Sequence, residues 1–336
     1  MVHHYLFVTN KKIPLIFCIL FISMLLNACS DNTLVEVPAL TTQHYATKVL
    51  KAADISQDGR YSLISNNQQV CLWNNRKNEK VYPCTTGVEG QLIELLGISK
   101  SNKYFYTSNR INVHLYQLNT GRLITVWSAG DNIINDIALS ADDSTLVLGF
   151  RNGQASVVGV HDNTINTFSI HRLDINSVSL SDDGQLAFTG SSDKTAKLWQ
   201  TRNGKEKKSF EHHMRVNHVT LNADATLAFS LDAVSDRFFW LLPSGQLFSE
   251  LNSSLRFIEF NQSQFSADKQ WLLSGGPKQT LQLWQLTTGE LKGHWQTFKH
   301  PERYRSSVLS AKFIDEQTIA SLTSDGVYQT WQMPTK

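Results

Sequence analysis

Seven aromatic or apolar residues recur along this 336-residue chain at almost constant spacing: Trp73, Tyr116, Val158, Trp199, Trp240, Trp284 and Trp331, separated by 43, 42, 41, 41, 44 and 47 residues. Each follows, by 14 to 16 residues, a turn-forming residue: Asp58, Asn102, Asp143, Asp183, Asp224, Asp268 and Asp315. Between these markers apolar residues alternate with period two, the mark of strands. Around Trp199, Asn176–Leu180 reads as a strand, Asp182-Asp183-Gly184 as a tight turn and Gln185–Thr189 as a second strand. Ser192-Asp193-Lys194 makes the next turn and Thr195–Trp199 the third strand. Arg202-Asn203-Gly204-Lys205 then suits a type I′ hairpin, because Asn-Gly tolerates positive φ, and Glu206–Phe210 is the fourth strand.

A repeat of this length, made of four short antiparallel strands, closes into a ring. The expected fold is therefore all-β: a seven-bladed β-propeller spanning residues 36–336 as one domain. A hydrophobic content of 41% supplies its core. After Trp331 only Gln332–Lys336 remain, too few for another hairpin and strand. The last blade must borrow its fourth strand, and Glu36–Thr42 lies at the right distance to provide it. Such closure removes exposed sheet edges.

The N-terminus has another character. Lys11 and Lys12 precede a mostly apolar run, Ile13–Leu26, too short for a spanning helix of ~20 residues but suited to a secretory signal. It ends in Leu26-Asn27-Ala28-Cys29, which resembles the lipobox of bacterial lipoproteins. The resemblance implies that residues 1–28 are a signal peptide, that Cys29 is lipidated, and that residues 29–35 are a tether. Ser30, rather than Asp, follows the cysteine, which in such lipoproteins points to the outer membrane, facing the periplasm. The whole chain carries 31 basic and 29 acidic side chains. Loss of Lys11 and Lys12 leaves 31 − 2 = 29 of each sign. A basic footprint for nucleic acid is then missing, and no nucleic-acid partner is expected.

The units resemble WD repeats, the fourth most closely. That resemblance implies a hydrogen-bonded set of His171, Ser191, Asp193 and Trp199 tying the blade's loops to its buried Trp. At the position six before each anchor only Asp193 and Asp325 carry the expected Asp; Asn67, Arg110, Asn152, Val234 and Lys278 do not. With Cys18 in the signal and Cys29 lipidated, Cys71 and Cys84 remain. Aligning the first unit on the fourth places them equidistant from the hairpin centre between Lys77 and Asn78, hence opposed across two strands and suited to a disulfide.

His171, Ser191 and Asp193 offer the residue types of a hydrolase triad, but such a triad is defined by geometry and an exposed nucleophile; as blade ties they are structural. His212, His213 and His218 form a histidine-rich stretch with no second ligand cluster in sequence, so no metal and no cofactor is expected. No phosphate-binding glycine loop or nucleophile elbow occurs, and the chain is expected not to be an enzyme. The loops leading into each blade and the turns between second and third strands share one face of the ring, the face by which WD-repeat proteins commonly bind partners. It would display Arg172, His213, Arg215, Arg256, Phe257, Tyr304 and Arg305 with Arg110 and Arg151, types enriched at interface hot spots. The longest loop, His300–Arg305, is the leading recognition element. The expected function is a lipid-anchored, monomeric, non-catalytic scaffold in the bacterial cell envelope that binds another envelope protein or peptide. The alternatives are a propeller that binds or processes a small molecule at its central channel, and a purely structural envelope component.

Overall fold

The computed structural model describes residues 38–66, 69–86, 92–253 and 257–334; residues 36–336 form one compact unit. Seven antiparallel sheets follow one another around a ring, six built in chain order from first to fourth strand and the seventh completed by the N-terminus. The fourth blade has strands Ile175–Leu180, Leu186–Ser191, Thr195–Gln200 and Glu206–Glu211, within two residues of the sequence expectation. Every anchor is the penultimate residue of a third strand, from Trp73 in Gln69–Asn74 to Trp331 in Val327–Gln332. The signal segment and Cys29 lie outside the described residues.

The anchors pack between blades. Trp199 is fully buried with Val147 and Ala155 of the preceding blade and Ile175 and Ala187 of its own, and Phe168 lies at its edge. Gly190 allows similar closeness further round the ring: a Cβ there would lie 2.6 Å from a methyl of Val216 in the next blade. Hydrophobic burial is thus distributed around the ring as inter-blade clusters rather than gathered in one centre.

Four details differ from the sequence reading. The closing strand is Thr41–His44, paired with Val327–Thr330, not Glu36–Thr42. Pro38 explains the shift, since it has no N–H to give a ladder; among the described residues the first bond to the ring is Leu40 N–H to Thr330 O, and Glu36 and Val37 lie outside them. In the first-to-second strand turns of blades two and three, Ser101 and Asp142 do the capping, accepting from Lys103 N–H and Ser144 N–H. Asn102 and Asp143, one residue later, instead take φ of 59° and 61°. The Asn203-Gly204 hairpin is not type I′, because only Gly204 has positive φ (68°). Gly204 N–H bonds to Gln200 O and Gln200 N–H to Lys205 O, a wider turn closed by one left-handed residue. Finally, the outer strand of blade one is broken into Glu79–Lys80 and Thr85–Thr86, with Pro83 between them.

That break bears on the cysteines. Near the hairpin Trp73 faces Lys80, whereas beyond the break Val70 faces Thr85, a register two residues further on. Cys71 and Cys84 fall on the second register and are joined by a disulfide, Cα–Cα 4.4 Å.

Candidate functional site

The loops leading into the blades and the second-to-third strand turns meet on one face. Arg172 N–H donates to Asp193, Ala233 N–H to Arg215 O, and Gln279 N–H to Ser306 O. Of the nine residues expected there, Arg151, Arg172, His213, Arg215, Phe257, Tyr304 and Arg305 are exposed. Tyr304 is fully so. Arg256 lies outside the described residues. Arg110 is half-buried and ion-paired with Glu94 at 2.6 Å, so it is less available than its neighbours. In the longest loop Arg303 reaches Asp325 (2.5 Å) and Thr47 O (2.6 Å), pinning the segment that lifts Tyr304 and Arg305 into solvent.

The same face carries a feature the arginine pattern does not reveal. Among the described residues each of the seven inter-blade loops exposes a large apolar side chain: Val49, Leu92, Ile133, Leu173, Met214, Phe257 and Tyr304, from 38% to 100% exposed, with Ile111 added from a turn. On the opposite face the turns expose none among the described residues, and Leu40, just ahead of the closing strand, is exposed there singly. The signal was present in the sequence as one apolar residue in an otherwise polar loop, repeated seven times.

The ring encloses a channel of about 1530 Å³ lined by the first strands of the blades. Innermost strands have an open edge, and buried edge N–H groups need acceptors. Side chains of a neighbouring blade supply them: Asp54 accepts from Ile98 N–H, Asp136 from Val178 N–H, Ser177 from Val219 N–H and Gln262 from Ala311 N–H. Asp54 also receives Ser310 Oγ–H and lies 3.4 Å from Lys312 Nζ. Burial pushes Asp136 up to about 6 and His218 down to about 4. Asp54 and Asp136, the carboxylates carried by the channel's first strands, are thus engaged as inter-blade ties.

Blade four holds the tie set. Trp199 Nε1–H donates to Thr189 Oγ1 (3.1 Å), which also meets His171 Nε2 (2.8 Å); His171 Nδ1 lies 3.0 Å from Asp193. Thr189 takes the place expected of Ser191. Trp199 faces Ala187 across the strand pair, and Thr189, two residues on, is its diagonal neighbour on the same face. Ser191, at the strand end, instead donates to Leu173 O. Burial alone would raise the Asp193 carboxyl, but hydrogen bonds led by that from His171 outweigh it and hold the group well below the usual carboxylate range. With both ring nitrogens of a buried His171 engaged, no exposed nucleophile belongs to the set.

Residues 162–200 match the family described as WD domain, G-beta repeat. One blade thus matches a WD repeat, in a chain whose fold is a seven-bladed β-propeller. In fold it is similar to a chain in a crystal structure of the mitotic checkpoint complex, with a TM-score of 0.74 and 14% identity over 100% of this chain and 99% of that one. No curated protein matches the sequence. The WD-repeat tie is graded around this propeller. Trp240, Trp284 and Trp331 keep the bond to a serine ten residues earlier, Ser230, Ser274 and Ser321. Trp73 Nε1 has no partner, the corresponding residue being Leu63. In blade five Asp236, not the residue at the expected spacing, receives the backbone N–H after the histidine.

The channel of this propeller gives a pH prediction. Between pH ~4 and ~6 folded Asp136 keeps a proton that the unfolded chain has released, so this group makes stability fall as pH rises through that window. His218 acts oppositely: from pH ~6.5 down to ~4 the unfolded chain takes a proton that the folded protein refuses, so stability falls with acid. Each effect is of order 1–3 kcal/mol, and in the parent they offset one another. Asp136→Asn should therefore lose more melting temperature between pH 7 and 5 than the parent, and His218→Gln less. Parallel pH profiles for all three proteins would contradict the assignment.

Proposed function

We propose that this propeller is a non-catalytic scaffold whose loop face docks an acidic segment bearing apolar side chains, on another protein of the cell envelope. The ring of seven exposed apolar residues carries this reading. Around it stand exposed Arg151, Arg172, Lys194, Arg215, Lys278 and Arg305, against the acidic Asp131, Glu259, Glu302 and the already paired Glu94. An apolar patch whose rim is predominantly basic favours an acidic partner, since charge steers encounter and apolar contact holds the complex. The solved structure it resembles belongs to a protein assembly, which fits a scaffold. Non-catalysis is supported by the ties that engage Asp54 and Asp136 on the channel's first strands.

The lipobox-like Leu26–Cys29 supports anchoring of Cys29 in the outer membrane. Mass spectrometry of the N-terminal fragment should show a modified Cys29; an unmodified Met1 terminus would remove the anchor.

A photo-crosslinking residue placed in the full chain at Leu173 or Met214 should capture a discrete partner in cells, and one at Gln185 on the opposite face should not. The added charges of Met214→Asp with Arg215→Glu should abolish the adduct at Leu173. Equal capture from both faces, or capture only from Gln185, would overturn the docking face.

A further inference from the structure

His212 stands where His171 stands one blade earlier, yet its surroundings differ. Its Nε2 meets Ser230 Oγ at 2.8 Å, as expected of the tie. Its Nδ1, in a side chain with no exposed surface, has no hydrogen-bond partner: Asp236 Oδ2 is 3.7 Å away, against 3.0 Å for the His171–Asp193 contact. A second carboxylate, Asp232, occupies the strand-end position held by Ser191 in blade four. Asp232 and Asp236 are both almost fully buried.

One ligand atom from each of His212, Asp232 and Asp236 lies within 4.8 Å of the other two. Bonds of ~2.0–2.2 Å to a tetrahedral ion require ligand atoms about 3.3–3.6 Å apart, close to the observed 3.7 Å. The carboxylates are also oriented in advance. Asp232 Oδ1 accepts the N–H groups of Val234, Ser235 and Asp236, leaving Oδ2, with only Met214 N–H upon it, free to turn a lone pair inward. Asp236 is held by His213 N–H and by the His213 ring, Nδ1 2.9 Å from the carboxylate. His213 is otherwise solvent-exposed, giving a way in and a fourth ligand, the second nitrogen of the set.

From this geometry we infer that blade five contains a divalent transition-metal site formed by His212 Nδ1, Asp232 and Asp236, with His213 or water completing the shell. The imidazole and the small cage favour Zn²⁺ or a similar first-row ion over Ca²⁺ or Mg²⁺, which take six or more oxygens. Because His212, His213, Met214 and Arg215 are consecutive, the ion would fasten one of the seven face loops to the blade beneath it. The ion binds the neutral-imidazole, carboxylate form of the site, so affinity should fall as pH drops.

The test uses the full chain without an affinity tag, stripped with chelator and titrated with Zn²⁺ by calorimetry, with melting temperature followed in parallel. The parent should bind one Zn²⁺ equivalent that raises the melting temperature. Replacing Zn²⁺ by Co²⁺ should give the visible absorption of a tetrahedral nitrogen–oxygen site. Asp232→Asn and Asp236→Asn should each weaken binding at least ten-fold, and His213→Ala more modestly. His212 also carries the Ser230 bond, so its removal threatens the blade itself. The two Asn variants and His213→Ala are therefore the decisive proteins, each first shown by circular dichroism to be folded in chelator. No heat of binding and no melting shift in the parent would overturn the site. Affinity equal to the parent's in both Asn variants would overturn it too, placing the ion elsewhere on the chain.

Discussion

Trp199→Ala is expected to lower unfolding free energy by about 3–5 kcal/mol, the range for removing a large buried ring. Three losses combine: contact with Val147, Ala155 and Phe168 across the blade boundary, an inter-blade cavity, and the donor that Thr189 accepts. Thr189→Val separates the last of these. It keeps the volume but strands Trp199 Nε1 and His171 Nε2 without a common partner, and should cost roughly 2–4 kcal/mol. Trp73→Phe is the control. Its Nε1 has no partner to lose, and Phe can still stack on Tyr45, whose ring lies 4.6 Å from that of Trp73. Less than about 1.5 kcal/mol is expected there. Chemical denaturation followed by circular dichroism measures all three; a cost for Thr189→Val no larger than that for Trp73→Phe would show that the tie contributes nothing beyond bulk.

The second large effect concerns the Cys71–Cys84 bond, which closes a loop of sequence separation 13. Removing such a link releases unfolded-chain entropy worth about 2–4 kcal/mol. Here the local ladder is weak, since the outer strand survives only as two pairs of residues either side of Pro83. Cys71→Ser with Cys84→Ser should therefore fall at the upper end of that range and loosen Thr85–Thr86 first. Reductant should destabilise the parent by a similar amount and leave the double variant unchanged. A parent indifferent to reductant would mean that the bond is absent in solution.

The ring was legible because its period is carried by large buried residues, and burial leaves a strong trace in sequence. Blade count, closure from the N-terminus and the cysteine pairing all follow from that spacing. What stayed hidden depends on side-chain direction. Thr189 and Ser191 lie on one strand face, and only the diagonal reach of Trp199 selects Thr189. The six hairpins between third and fourth strands all place a left-handed residue five positions after the anchor, Asn78, Gly121, Asn163, Gly204, Gly245 and Gly289. That regularity is in the sequence but is masked when Asn203-Gly204 is judged alone. The carboxylates beside His212 escaped because they are some twenty residues away and meet it only through the turn of another strand. Arginine content marked the loop face, while its apolar ring emerges only when all seven loops are compared at once.

The pairing of Thr41–His44 with Val327–Thr330 joins segments 289 residues apart at its widest, Thr41 with Thr330. During synthesis every other blade can complete itself as it emerges, but this joint must wait for the last strand to leave the ribosome. Loop-closure entropy is lost before that contact forms, so the step is intrinsically slow, and until then Thr41–His44 and the outer edge of Val327–Gln332 in blade seven stay unpaired. The newly made chain would thus be most exposed to wrong partners at the moment its two ends have yet to find each other.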